Sequence, residues 1–269
     1  MPFLDVNGTR LYYEDTGGSG EPIVFSHGLL WSGRMFHKQV AALKDRYRCI
    51  TYDHRGQGRS DVWKVDAVDM ETVYADAVGL IEKLGVGPCH FVGLSMGGFV
   101  GMRLAARRPD LLRSLMLLET SADPEPVENV PRYKLLTFIA RWLGLGFVSK
   151  QVMPIMFGRT FLEDPARAAE RAEWERYLKE NRRDIWRAVN GVIRRRGVSV
   201  ELASVRTPTL VLVGEEDVAT VPAKAERIHG AIQGSKLVKL PRGGHTSTVE
   251  EPELLNAALL EFLNEGRAE

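Results

Sequence analysis

Only two cysteines occur in 269 residues, Cys49 and Cys89, and both sit inside apolar, strand-like runs. They read as reduced core residues, so a disulfide framework is excluded as the source of stability. No apolar run approaches the length needed to span a bilayer. The first residues lack the basic-then-apolar order of a signal peptide. A charge surplus is missing too: the net charge of +1 excludes a chain-wide excess of the kind that binds nucleic acid. There are no internal repeats, no low-complexity tracts and no His, Cys, Asp or Glu cluster with metal-ligand spacing. The expectation is a cytoplasmic enzyme or binding protein acting on a small molecule, with no nucleic-acid or membrane partner, no metal and no cofactor. Hydrophobic residues at 44% and charged residues at 26% are enough to fill the core of one large α/β domain.

The chain is organised around Gly93-Leu94-Ser95-Met96-Gly97-Gly98. Cys89 to Val92 before it reads as a short buried strand, and Phe99 to Arg108 after it as a helix ended by Pro109. A serine at a sharp strand-to-helix turn takes a strained backbone that lifts its hydroxyl clear of the sheet. The turn needs small residues two before and two after, here Gly93 and Gly97, because their backbones nearly touch. The helix start also directs N–H groups and its positive dipole end at an anion forming beside Ser95.

Along the chain, Phe3 to Val6 and Arg10 to Glu14 flank Asn7-Gly8, a hairpin signal. Strands are expected at Pro22 to Ser26, Tyr47 to Tyr52, Leu115 to Leu118, Thr207 to Val213 and Leu237 to Leu240. Helices are expected at Arg34 to Leu43, Met70 to Leu84, Ala223 to Ile232 and Glu253 to Leu263. The alternation predicts a doubly wound, mostly parallel sheet with helices on both faces. From 124 to 201 there is no strand pattern, and three of the five tryptophans fall here. This helical insertion is expected to form a lid over the C-terminal ends of the strands, with 1–123 and 202–269 as the core domain. Between Asn129 and Val200, 15 Lys and Arg face 7 Asp and Glu, a surplus of +8. It reads as a solvated outer helix face; the other reading is that Arg194-Arg195-Arg196 steers anionic substrates.

A serine hydroxyl needs a base within hydrogen-bond reach and a carboxylate to orient that base. His245, in Gly243-Gly244-His245 after the last strand, is the best-placed base. Asp217 in Gly214-Glu215-Glu216-Asp217 is the expected carboxylate, with Glu215 and Glu216 as alternatives and Glu119 as a weaker one. The chain order Ser95, Asp217, His245 fits this architecture. Backbone N–H groups of Met96 and Leu29 are expected to form the oxyanion hole. Leu30, Trp31, Met153, Met156 and Phe157 are candidate pocket residues, and His27 a structural or pocket-wall residue.

Phe25-Ser26-His27-Gly28, Asp53 to Ser60, the Ser95 turn, Gly214 to Asp217 and Gly243-Gly244-His245 stand in one order that resembles the α/β-hydrolase superfamily over nearly the whole chain. The resemblance is closest to small capped esterases, enol-lactone hydrolases and cofactor-free perhydrolases. Aspartate-nucleophile dehalogenases and epoxide hydrolases are disfavoured by Ser95. It implies a serine hydrolase of a small carboxylic ester or lactone working through an acyl-enzyme. Alternatives are a perhydrolase or C–C bond hydrolase on the same residues, or a small-molecule receptor with the hydrolase fold. The loop around Arg55 resembles a structural turn of the family. Oligomeric state is invisible at this level.

Overall fold

The computed structural model describes residues 2–62 and 66–265. Strands β1 (Phe3–Val6) and β2 (Thr9–Asp15) pair antiparallel about Asn7 and Gly8, both at positive φ, as a tight hairpin turn requires. β3 (Glu21–Ser26), β4 (Tyr47–Tyr52), β5 (Cys89–Leu94), β6 (Leu112–Leu118), β7 (Thr209–Gly214) and β8 (Lys236–Leu240) follow. The eight strands lie in the order β1-β2-β4-β3-β5-β6-β7-β8; β1 and β2 are antiparallel and the rest parallel.

The central strands are apolar on both faces because helices cover both. Val24, Phe91, Leu115, Leu117, Val211 and Val213 point into one core cluster. Their neighbours Ile23, Phe25, Val92, Met116, Leu118, Leu210 and Leu212 point into the other. Helix α1 (His37–Leu43) follows a short 3₁₀ turn at Gly33–Phe36, so the helix expected from Arg34 is tighter in its first turn. In α2 (Met70–Leu84), the Asp69 carboxylate accepts from Thr72 N–H at 2.8 Å and Gly85 closes the end at φ 62°. Helix α3 (Met96–Arg107) begins three residues earlier than Phe99, taking in the two glycines.

No strand interrupts the stretch between β6 and β7. It holds α4 (Val130–Leu143), α5 (Ser149–Met156), α6 (Arg159–Glu163), α7 (Ala168–Lys179) and α8 (Trp186–Ile193). α9 (Pro222–Ala231), α10 (Ser247–Glu250) and α11 (Pro252–Glu265) complete the chain. Buried residues of the insertion, among them Met153, Phe157, Trp174 and Leu178, join the same core cluster as β3 and β5. Cys49 and Cys89 are buried and unbridged, and burial pushes both thiols up to about 12. Among the described residues no helix is long and apolar enough to cross a membrane.

Candidate active site

Ser95 caps α3 at φ 52°, ψ −107°, outside the regions an L-residue ordinarily occupies. Three bonds hold it there: Ser95 N–H donates to Leu118 O at 2.8 Å, while its carbonyl accepts from Phe99 N–H at 3.1 Å and Thr120 Oγ1 at 2.8 Å. A Cβ on Gly97 would strike the Ser26 carbonyl, and one on Gly93 the Gly97 carbonyl, so the two glycines permit the turn sterically.

Three side chains from three strand ends converge. His245 Nε2 lies 2.9 Å from Ser95 Oγ, and His245 Nδ1 lies 2.9 Å from Asp217 Oδ2. Asp217 is further held by Thr220, which donates its hydroxyl to Oδ2 at 2.6 Å and its N–H to Oδ1 at 2.9 Å, and by Ala219 N–H at 2.8 Å. Burial opposes the charge on Asp217, but His245 and these bonds outweigh it and keep the pKa below the usual carboxylate value. The other acids of that loop go elsewhere. Glu215 is exposed, and Glu216 accepts from Thr160 N–H at 2.7 Å and Thr160 Oγ1 at 2.6 Å.

Two buried glutamates lie near His245: Glu119, the weaker candidate for its carboxylate partner, and Glu250, which the sequence did not single out. Glu250, on α10, accepts from Gly244 N–H at 3.1 Å and Thr246 N–H at 2.9 Å, bracketing His245, and from Gly158 N–H of the insertion at 2.7 Å. Burial, only partly offset by those N–H groups, raises its pKa to about 8. Glu119, fully buried at φ 41°, faces the Ser247 hydroxyl rather than His245, and burial raises its pKa well above the normal range. Burial thus disfavours charge on Glu119 and Glu250, whereas Asp217, which touches the imidazole, is held on the low side. The signal for Glu250 was its place in the short helix immediately after His245; its partners are all backbone and leave no residue pattern.

Beside Ser95, a Cβ on Gly28 would sit 3.6 Å from the serine Cβ, which brings the following Leu29 backbone to the nucleophile. Met96 N–H opens α3 and has no acceptor within the helix. Leu29 N–H donates to no other described residue, whereas the next one, Leu30 N–H, is taken by Gln57 Oε1 at 2.9 Å. Both N–H groups are therefore open to an oxygen held against Ser95.

A sequence model of the α/β hydrolase fold matches residues 21–252. The chain belongs to this family. It is similar to an enol-lactonase from Burkholderia xenovorans LB400, with a TM-score of 0.90, 28% identity and coverage of 98% of this chain and 100% of that one. A thermophilic esterase from Thermogutta terrifontis superposes with a TM-score of 0.89 at 29% identity, covering 98% of both chains. A Pseudomonas savastanoi protein provisionally named carbamate hydrolase RutD is 28% identical over 248 residues, 90% of this chain and 93% of its own length.

Ser95 and His245 open into a cavity of about 120 Å³. Leu29 and Leu30 form one wall; Leu136, Val152, Met156, Trp186 and Ile193 of the insertion form much of the rest. Among the described lining residues other than His245, the charged ones are Glu125 and Arg195, which pair with each other at 2.6 Å, with Arg195 stacked 4.5 Å over Phe99. A larger open hollow of about 690 Å³ contains Trp31 and Leu30 but none of Ser95, His245 or Asp217, so the smaller cavity is the one the chemistry can reach.

Of the six pocket candidates, then, Leu30 and Met156 line the cavity beside Ser95. His27 does not: it is fully buried, its Nδ1 2.7 Å from Gly28 O and its Nε2 accepting from His54 N–H at 2.9 Å, and burial lowers its pKa. Trp31 and Phe157 pack edge-on against each other beneath the cavity, with Trp174 5.2 Å from Trp31, and Met153 is buried in the same cluster. These apolar residues serve the packing of insertion on core. Of the arginine cluster, Arg194 and Arg196 are exposed and Arg195 is neutralised by Glu125, so the +8 surplus offers the cavity no free cation from that cluster. Among the described residues no group of three or more His, Cys, Asp and Glu could hold a metal ion.

Proposed function

We propose that the chain hydrolyses a small carboxylic ester or lactone through an acyl-enzyme on Ser95. The observation that carries this reading is the continuous hydrogen-bonded line Ser95–His245–Asp217, which ends at a serine opening into an apolar cavity. His245 Nε2 takes the Ser95 proton as Oγ attacks the carbonyl carbon. Asp217 holds the imidazole by Nδ1 and stabilises the imidazolium. Leu29 and Met96 N–H receive the oxyanion, a role worth on the order of 3 kcal/mol per donor in such sites. The imidazolium then protonates the leaving alcohol, or in a lactone the ring oxygen, which stays tethered to the acyl group. Water, deprotonated by His245, releases the acid and regenerates Ser95.

The cavity bounds the substrate. At about 120 Å³ it is well below the roughly 300–1,000 Å³ of a site for a drug-sized ligand, so short acyl groups suit it. Its walls are almost wholly apolar and its one ion pair is internal, so the acyl chain is uncharged. In this reading the insertion acts as a cap. The segment from Met156 to Thr160 is tied to both loops that carry the reacting groups: Thr246 Oγ1 donates to Met156 O at 2.7 Å, and Gly158 and Thr160 bond Glu250 and Glu216.

The test is a turnover series over p-nitrophenyl esters of graded acyl length and several lactones, run beside fluorophosphonate labelling with the labelled peptide sequenced. Labelling of Ser95 with a kcat/KM maximum at short acyl length is expected. An unlabelled Ser95, or a label at another serine, would overturn the proposal.

A further inference from the structure

Helix α4 is apolar on two opposite faces. Its inner face, with Tyr133, Leu136, Thr137 and Ala140, lines the cavity beside Ser95. Its outer face carries Leu135, Phe138 and Trp142, spaced to fall in one stripe, and Leu143 with Phe147 of the following turn lines a surface hollow at the end of the helix. All five side chains are between 51% and 69% exposed. Single exposed apolar residues are ordinary, but a contiguous run of this size on a chain of low net charge marks a contact surface.

The charges around it indicate what that surface meets. From residue 130 to 162 the sequence holds Arg132, Lys134, Arg141, Lys150 and Arg159, all exposed, and no Asp or Glu at all. By helical spacing, Lys134 and Arg141 run along one edge of the α4 stripe and Arg132 along the other. Arg141 is also stacked, 5.4 Å over the exposed Trp142 and 4.2 Å over Trp186 of the cavity wall. A second copy docked symmetrically on this face would set Arg132, Lys134 and Arg141 against their own copies, with no carboxylate on α4 to pair them. An anionic lipid surface would instead take the aromatic and aliphatic side chains at the acyl boundary and pair the flanking cations with its headgroups.

We propose that the outer face of α4 docks the protein, in plane, on an anionic lipid surface. No spanning segment is required for this, so the absence of one from the sequence does not bear against it. The docked helix is the same one whose inner face walls the cavity, which places the entrance at the lipid boundary and suits amphiphilic esters that partition there. That delivery role rests on the hydrolase reading above; the docking does not.

The experiment is co-sedimentation of the full chain with phosphatidylglycerol vesicles and, separately, phosphatidylcholine vesicles, at low and high salt. Binding to the phosphatidylglycerol vesicles that weakens with salt is expected. Leu135→Ser/Phe138→Ser/Trp142→Ser and Lys134→Gln/Arg141→Gln should each reduce the partition coefficient roughly tenfold or more. Both variants should keep wild-type turnover of a water-soluble ester, and Ser95→Ala should bind vesicles as the wild type does, which separates failure of docking from failure of the hydrolase reading. Protein that stays in the supernatant at low salt, or pellets equally with both lipids and regardless of substitution, overturns the proposal. A concentration-dependent dimer abolished by the apolar triple variant overturns it too, and assigns the face to a second copy.

Discussion

Two buried polar clusters lie beneath loops that follow parallel strands, and they differ in where their hydrogen bonds end. In the loop after β4, Arg55 donates twice to Asp76 of α2, at 2.8 and 2.5 Å, and once to the Asn7 carbonyl at 2.8 Å, while Asn7 Nδ2 donates to Asp76 at 2.9 Å. Both charged side chains are essentially inaccessible. That network pins the hairpin to α2. In the loops after β7 and β8, Asp217 and His245 pair at 2.9 Å, and the line continues to Ser95 and ends at an oxygen facing a cavity. The first arrangement holds parts together. In the function proposed here, the second sets a proton acceptor next to a nucleophile, with the far end left for a substrate.

The contrast can be broken at either end. The largest effect is expected from Ser95→Ala, which should lower kcat for an ester by roughly 10⁴–10⁶-fold, with His245→Ala nearly the same and the double variant no worse. The measurement is steady-state turnover beside a melting curve, which should show a folded protein. Asp217→Asn should cost about 10⁴ in kcat, whereas Glu216→Gln should cost far less; comparable losses from both would mean that the insertion tie, not the imidazole partner, governs the rate.

Arg55→Met should reverse the pattern. Loss of one partner from a buried pair destabilises by about 3–5 kcal/mol, read by urea unfolding, with little change in kcat per folded molecule. Arg55→Met/Asp76→Leu should recover much of that stability, because a buried pair replaced whole by apolar groups leaves no orphan charge. A drop in kcat matching that of Asp217→Asn would erase the distinction between the clusters.

The smallest expected effect sharpens the comparison inside the reacting cluster. Glu250 has a folded pKa near 8, above its unfolded value. The folded state therefore keeps that proton longer, and the contribution is complete in mild acid and lost as pH rises through about 8. Thermal stability should fall between about pH 5 and pH 8, with buried Glu119 acting in the same direction. Glu250→Gln should flatten the slope and lower stability by about 1–3 kcal/mol, since an amide NH₂ must then face a backbone N–H. An unchanged pH–stability slope would show that Glu250 is ionised throughout.

Legibility followed the range of the interactions. The Ser95 turn was readable because its constraints act within six residues: two glycines whose Cβ atoms would strike neighbouring backbone, a strand before and a helix after. His245 was readable from a glycine loop at the last strand end. Asp217 could only be ranked above Glu215 and Glu216, since all three follow β7 within three residues; solvent exposure of Glu215 and the Thr160 bonds of Glu216 are matters of packing. His27 was open between wall and scaffold, and His54 N–H decided for scaffold.

The period of the apolar residues by itself determined the α/β alternation and the mostly parallel sheet, because strand and helix periodicity are local consequences of burying one face or two. The glycines around Ser95 determined the strained turn there, since such a turn tolerates few residue types. Only the tertiary structure decided how the five helices between β6 and β7 pack on the core and line the cavity beside Ser95. In α4 both faces are apolar, so no moment in the sequence says which one turns inward. It decided, too, that Arg195 meets Glu125, and that Glu250 reaches across to Gly158 while bracketing His245. The Arg195–Glu125 and Glu250–Gly158 contacts join residues 70 and 92 positions apart, and their partners are set by how layers pack rather than by any neighbour along the chain.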